Sequence, residues 1–283
     1  MPARTPQVLL DDIMFAEGPR WHQERLWFSD MYAHEVVAVD MAGRRESIAT
    51  VPNQPSGLGF LPDGRLLIVS MKDRRLLRLD ASGLTEVADL SGLATAECND
   101  MVVAGQGRAY VGNLGFDVHV SAPARPANIV LVTPEGDARI VAEDLAIPNG
   151  TVITPDGRTL IVGESRGKRL TAFDVEPDGS LTNRRIWAEL AVVPDGICLD
   201  AEGCIWIGAP GESGGYLRIA QGGEVIDRVD PGDAKAIACM LGGPEGRTLF
   251  MCDAVSARPS EIEGPGNSRI RTVEVDAPRA GWP

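Results

Sequence analysis

The feature that most constrains this chain is a sixfold repeat. Six segments each set a tight turn before a β-rich run: 22–30 (HQERLWFSD), 62–70 (PDGRLLIVS), 105–113 (GQGRAYVGN), 155–164 (PDGRTLIVGE), 201–209 (AEGCIWIGA) and 244–253 (PEGRTLFMCD). Aligned on Arg25, Arg65, Arg108, Arg158, Cys204 and Arg247, their spacings are 40, 43, 50, 46 and 43 residues. Asp-Gly and its relatives supply the positive φ angles of a hairpin, and the Leu, Ile, Val and Trp that follow favour a pleated strand. A second strand-like run follows, as in EVVAVD at 35–40, RLLRLD at 75–80 and RLTAFD at 169–174. Each repeat therefore reads as a four-stranded antiparallel sheet of about 40–50 residues, the size of a propeller blade. Six such sheets bury their faces only by arranging radially, so the expected fold is an all-β, six-bladed β-propeller in one domain over residues 1–283. The stretch 7–12 (QVLLDD) has no hairpin of its own and is expected to add a strand to the last blade, closing the ring. A parallel α/β barrel would need amphipathic helices between strands, and the Gly- and Pro-rich connectors are mostly too short for them.

Composition narrows the class of function. The chain has 40 Asp plus Glu against 27 Lys plus Arg, a net charge of -13. That surface repels nucleic acid and anionic membranes, so neither is expected as a partner, and a small-molecule substrate is. The N-terminal residues 1–10 (MPARTPQVLL) lack a secretory apolar run, and no apolar stretch is long enough to span a membrane. The five cysteines are odd in number and lack C-x-x-C spacing, which reads as reduced core residues. The expected compartment is cytoplasmic.

The same alignment reaches toward chemistry. About nine residues before each anchor, where the innermost strand begins, stand Glu17, Ser56, Asn99, Asn149, Asp195 and Ala238. Loops entering the innermost strands face the mouth of the central channel, so equivalent positions converge on the axis. Four of the six carry carboxylate or carboxamide oxygens: Glu17, Asn99, Asn149 and Asp195. Such a set suits one hard divalent cation, Ca²⁺ first, with Mg²⁺, Mn²⁺ or Zn²⁺ as alternatives and places left for water and substrate. Asn-Gly and Asp-Gly also form turns, so each residue alone has an ordinary explanation; agreement of four at one register is what points to a site. Ser56 and Ala238 read as small residues that leave room across the channel.

These motifs, Glu17-Gly18-Pro19, Asn99-Asp100, Pro148-Asn149-Gly150 and Pro194-Asp195-Gly196-Ile197, resemble the regucalcin/gluconolactonase family, which also includes luciferin-regenerating-enzyme-like proteins and, more distantly, diisopropyl fluorophosphatase. The resemblance covers essentially the whole chain. It implies a six-bladed propeller with one catalytic divalent metal, usually calcium, and hydrolysis of lactones, typically sugar-derived, with organophosphate hydrolysis in some members. By position it implies Glu17, Asn149 and Asp195 as core ligands and Asn99 as a fourth ligand or substrate contact. It also implies Asp195 as the base that activates water; Glu97 and Asp100 are the alternatives. In a phosphotriesterase Asp195 would instead attack phosphorus. Sugar-lactonase members typically carry Arg two residues before the Asn of Asn-Asp, whereas this chain has Glu97, which cannot donate a hydrogen bond when ionised and repels an anionic lactone.

The loop 113–128 (NLGFDVHVSAPARPAN) is the longest excursion read from the sequence, which makes Phe116, Asp117 and His119 candidate pocket residues, with Ser165 and Arg166 of the fourth blade beside them. GESGG at 211–215 matches G-x-S-x-G, but a strand follows where a nucleophile elbow needs a helix. His22 reads as a packing residue. The rival of a different class is a non-catalytic calcium-binding propeller.

Overall fold

The computed structural model describes residues 4–118 and 123–282. Strand β1 (Gln7–Ile13) comes first in the chain. Blade 1 follows as β2 (Ala16–His22), β3 (Arg25–Asp30), β4 (Glu35–Val39) and β5 (Arg45–Thr50). Blade 2 is β6 (Pro55–Phe60), β7 (Leu66–Ser70), β8 (Arg75–Asp80) and β9 (Gly83–Asp89). Blade 3 is β10 (Cys98–Val103), β11 (Ala109–Asn113), β12 (Ala127–Val132) and β13 (Ala138–Leu145). Blade 4 is β14 (Pro148–Ile153), β15 (Thr159–Glu164), β16 (Arg169–Val175) and β17 (Leu181–Glu189). Blade 5 is β18 (Ile197–Leu199), β19 (Ile205–Ala209), β20 (Gly215–Ile219) and β21 (Val225–Val229). The last blade takes β22 (Lys235–Gly242), β23 (Thr248–Ala254) and β24 (Ser268–Glu274) from the C-terminal end, and β1 pairs antiparallel with β24 as its outermost strand.

Six four-stranded antiparallel sheets thus stand around one axis, each with its first strand innermost: the six-bladed propeller that the repeat predicts. Arg25 opens the second strand of its blade, and the anchors Arg65, Arg108, Arg158, Cys204 and Arg247 each stand one residue before theirs. Apolar side chains fill the spaces between blades; Val69, Leu76, Met101 and Val111 join blades 2 and 3, and Ile161, Leu170, Ile197 and Ile207 join blades 4 and 5. All five cysteines are free and buried in these layers. His22 stacks on Phe60 with ring centroids 3.8 Å apart, a contact between blades 1 and 2. Residues 211–214 form the turn between β19 and β20, so GESGG is a hairpin tip. Among the described residues no helix is long and apolar enough to cross a membrane.

The strand directions put two sets of loops, those entering the inner strands and those joining second to third strands, at one mouth of the channel. The opposite end is closed by the chain itself. After β24 the tail runs under blade 6, where Arg279 N donates to Gly246 O at 2.7 Å, then under blade 5, where Ala280 N donates to Leu199 O at 3.0 Å and Ala201 N donates to Pro278 O at 2.8 Å. It ends with the Trp282 indole laid on Gly105 of blade 3. A cavity of only about 20 Å³ remains between Arg20, Met240 and Trp282. Removing residues 277–283 strips those backbone bonds and uncovers the apolar floor; unfolding in urea is expected to show a loss of about 2–4 kcal/mol.

Candidate active site at the channel mouth

The inner strands do not pair regularly. The register between first and second strands shifts between Glu17 and Arg20, Pro55 and Leu58, Cys98 and Met101, Pro148 and Thr151, and Ala236 and Ala238. Every break contains or adjoins the position that the repeat alignment singled out. In blade 5 pairing begins only at Ile197, two residues past Asp195. A bulge turns a side chain out of its sheet, and here it turns one per blade toward the axis.

Burial separates the six positions into two kinds. Glu17, Asn99, Asn149 and Asp195 are each half-buried between fully buried neighbours, so only their tips reach the channel. Ser56 and Ala238 are fully buried. They do not leave open space, contrary to the expectation from their size. The Ser56 hydroxyl donates to Asn99 Oδ1 at 3.2 Å, and Ala238 is packed against Gly196. The glycines after Asn149 and Asp195 serve this packing rather than a hairpin turn. A Cβ on Gly150 would sit 2.4 Å from Ile197 N of the next blade, and one on Gly196 would sit 2.3 Å from the Ala238 Cβ.

Two of the four tips, Asn149 and Asp195, are hydrogen-bonded to each other. Asn149 Nδ2 donates to Asp195 Oδ1 at 2.6 Å and to Ser165 Oγ at 3.2 Å, and Ser165 Oγ donates to the Pro194 carbonyl at 2.8 Å. Glu17 Oε2 accepts from Gly18 N at 2.7 Å. Among the described residues neither Glu17 nor Asp195 has an ion-pair partner within 4.0 Å. Burial first, then the charges of Asp195 and Asp100, push the Glu17 carboxyl well above the usual carboxylate range. Burial also pushes Asp195 up to about 7, against the Asn149 hydrogen bond and with the charge of Asp100 adding to it. Asp100, the alternative base, is held by Arg20 Nη2 at 3.1 Å and by Met101 N at 2.8 Å, which removes it from the role of a free acceptor at the mouth.

The remaining candidates ring the opening. Glu97 is half-buried, and its carbonyl accepts from Leu114 N at 2.9 Å. Burial, and after it the charge of Glu97, raises the Tyr32 hydroxyl. Phe116 is half-buried under Arg166, whose guanidinium carbon lies 5.6 Å from the ring centroid. Asp117 is exposed on the same loop, and His119 lies outside the described residues.

Sequence reasoning passed over a second ring. Each second strand ends, toward the mouth, in a buried residue, and Asp30, Asn113 and Glu164 there accept hydrogen bonds from neighbouring loops through side-chain oxygens. Asp30 accepts from Phe15 N at 2.9 Å, Asn113 from Thr95 Oγ1 at 2.9 Å and Glu164 from Ala146 N at 2.8 Å, each on the segment leading to Glu17, Asn99 or Asn149. Asp253 accepts from Tyr216 Oη at 2.9 Å. The signal was present as the polar letter that ends the repeat after its apolar run. The loop 255–267 of blade 6, as long as that of blade 3 and facing it across the ring, was also passed over; its Ile262 packs on the core beneath.

Residues 15–255 match the family model described as the SMP-30/Gluconolactonase/LRE-like region. The chain belongs to that family. It is 24% identical over 291 residues to a 6-deoxy-6-sulfogluconolactonase of Pseudomonas putida, covering 99% of this chain and 96% of that one. It is also 24% identical over 281 residues to a gluconolactonase of Zymomonas mobilis, covering 87% and 78%. In fold it is similar to the crystal structure of a calcium-binding protein, regucalcin, from Agrobacterium tumefaciens, with a TM-score of 0.82, 23% identity, and coverage of 99% and 97%.

The donor set fits a hard divalent cation. Two recessed carboxylates lack a cationic partner, and the groups beside them are carboxamides rather than imidazoles or thiols. Among the described residues no three His, Cys, Asp or Glu side chains gather to hold a metal, so a cation here depends on the carboxamides of Asn99 and Asn149. The raised carboxyls give a sign to the pH dependence. A folded pKa above the unfolded one contributes stability below about pH 4 that is lost as pH rises through the folded value. Glu17 and Asp195 should therefore destabilise the EDTA-treated protein between about pH 4 and above pH 7, and the stabilisation by added Ca²⁺ should be larger at about pH 8 than at about pH 5. Thermal melts at both pH values check this; Asp195→Asn should flatten part of the EDTA slope.

Proposed function

We propose that the protein is a divalent-cation-dependent hydrolase that opens a small lactone at the channel mouth. The observation that carries the reading is that four of the six equivalent inner-strand positions, and only those four, send oxygen-bearing tips from a sealed wall into the channel. The names of the family relatives supply the reaction class. Glu17, Asn99, Asn149 and Asp195 would hold the cation, Ca²⁺ by donor chemistry. When bound, it would polarise the lactone carbonyl and stabilise the oxyanion that develops there.

The chain's own residues do the rest. Asp195 Oδ1 is engaged by Asn149, which fixes the carboxylate plane and leaves Oδ2 to take the proton from the attacking water. Ser165 holds Asn149 from behind while anchored on Pro194, so ligand and base are positioned through one chain of hydrogen bonds. Phe116 and Arg166 line one side of the opening and Tyr32 and Glu97 another, which brackets a ring-sized substrate between an apolar face and polar groups. The tightly packed inner strands keep bulk water from approaching except through the mouth.

Two experiments test the reading. The EDTA-treated protein is supplied with Ca²⁺, Mn²⁺ or Zn²⁺ and screened against γ- and δ-lactones; turnover restored by the ion is expected, and binding of Ca²⁺ with no turnover of any lactone would mean a non-catalytic propeller. Asp195→Asn should lower kcat by about 10³-fold or more with the fold retained by circular dichroism; undiminished turnover rules out its role as base. For substrate choice, Glu97→Gln should raise kcat/KM about 3–10-fold for a lactone bearing a carboxylate or sulfonate, with little change for a neutral one.

A further inference from the structure

Below the ring of four lies a buried ion pair that the proposed chemistry leaves unused. Arg20 sits on the bulged inner strand of blade 1 and is 5% exposed. Its Nη2 crosses to blade 3, donating to Asp100 Oδ1 at 3.1 Å and to the Met101 carbonyl, while Nη1 donates to the Pro19 carbonyl at 2.8 Å. Asp100 accepts as well from Met101 N at 2.8 Å and from the Thr151 backbone N–H of blade 4. The pair therefore ties three blades together, directly behind Asn99 and two residues from Asn149.

Cohesion alone is a poor reason for this pair, because a buried ion pair is seldom worth more than apolar side chains of the same volume. Its charge is the better one. Glu17, Asp100 and Asp195 would present three negative charges within reach of one another, and Arg20 reduces the total to two. We propose that Arg20 is a positioning residue that draws Asp100 out of the ligand set and holds the charge of the ring at the value that matches a divalent cation. This rests on the reading that a cation binds Glu17, Asn99, Asn149 and Asp195. Without Arg20, the third carboxylate is free to turn to the ion, and the site favours trivalent cations.

The test is calorimetric titration of the full chain with CaCl₂ and, separately, LaCl₃, reading the ratio of the two dissociation constants. Arg20→Met should shift that ratio about tenfold toward La³⁺, as expected for one added charge near the ion. Asp100→Asn, which keeps the side-chain shape, should shift it about tenfold toward Ca²⁺. The double variant should return it to within about threefold of wild type, and Arg20→Lys should leave it nearly unchanged. A purely structural role would lower stability in the single variants without moving the ratio, and that outcome overturns the proposal. If Arg20→Met fails to fold, Asp100→Asn carries the test alone. Wild-type protein that binds neither ion overturns the cation reading itself, whereas wild-type Ca²⁺ binding with an unmoved ratio in the variants overturns only the role of Arg20.

Discussion

Everything at the mouth depends on how closely the inner strands approach one another around the axis. Six strands meeting around one line leave no space for a Cβ at the tightest crossings, and Gly150 and Gly196 mark two of them. That same crowding breaks the regular pairing between first and second strands, and the break frees one residue per blade to face inward. Packing and function are thus one constraint: in blades 1, 2, 4 and 5 the residue after the inward-facing one is a glycine so that the next blade can fit, and the inward-facing one is presented because its strand cannot pair there. A ring of this kind is assembled from residues 46 to 82 apart in sequence without any loop having to reach for the site.

The electrostatic cost of that arrangement is concentrated in Glu17 and Asp195, two carboxyls brought into a poorly solvated space with a third, Asp100, behind them. Three other buried carboxylates are paired with arginines: Glu164 with Arg169 and Arg184, Asp200 with Arg218 and Asp253 with Arg269 and Arg271, while buried Asp30 is held by backbone N–H groups. Glu17 and Asp195 are different: among the described residues neither has an ion-pair partner within 4.0 Å, and the charge of Arg20 offsets the burial of Glu17 only in part. The contrast inside one protein is more informative than the acidic net charge, since most of the 40 acidic residues sit at the surface and solvate it.

The architecture was readable because a propeller writes its blades as a period, and the six hairpins carry turn chemistry and β-branched runs that no neighbouring sequence contradicts. The inward positions were readable for the same reason, as one column of an alignment of the chain with itself. Arg20 was not, because it follows the Glu17-Gly18-Pro19 motif whose meaning was taken from the glutamate, and nothing in sequence tells that its guanidinium crosses to blade 3. Ser56 and Ala238 were misjudged because side-chain volume predicts room only when neighbours stay put, and here the adjacent blade moves in. The polar residues at or one short of the ends of the second strands, Asp30, Asn113, Glu164 and Asp253, were visible letters whose partners lie on other segments, so their hydrogen bonds appear only in three dimensions.

The tail that ends in Trp282 makes the channel a blind well rather than a tunnel. Whatever enters must leave by the same opening, so an incoming molecule and a departing one compete for a single passage, and a slowly released product acts as its own stopper.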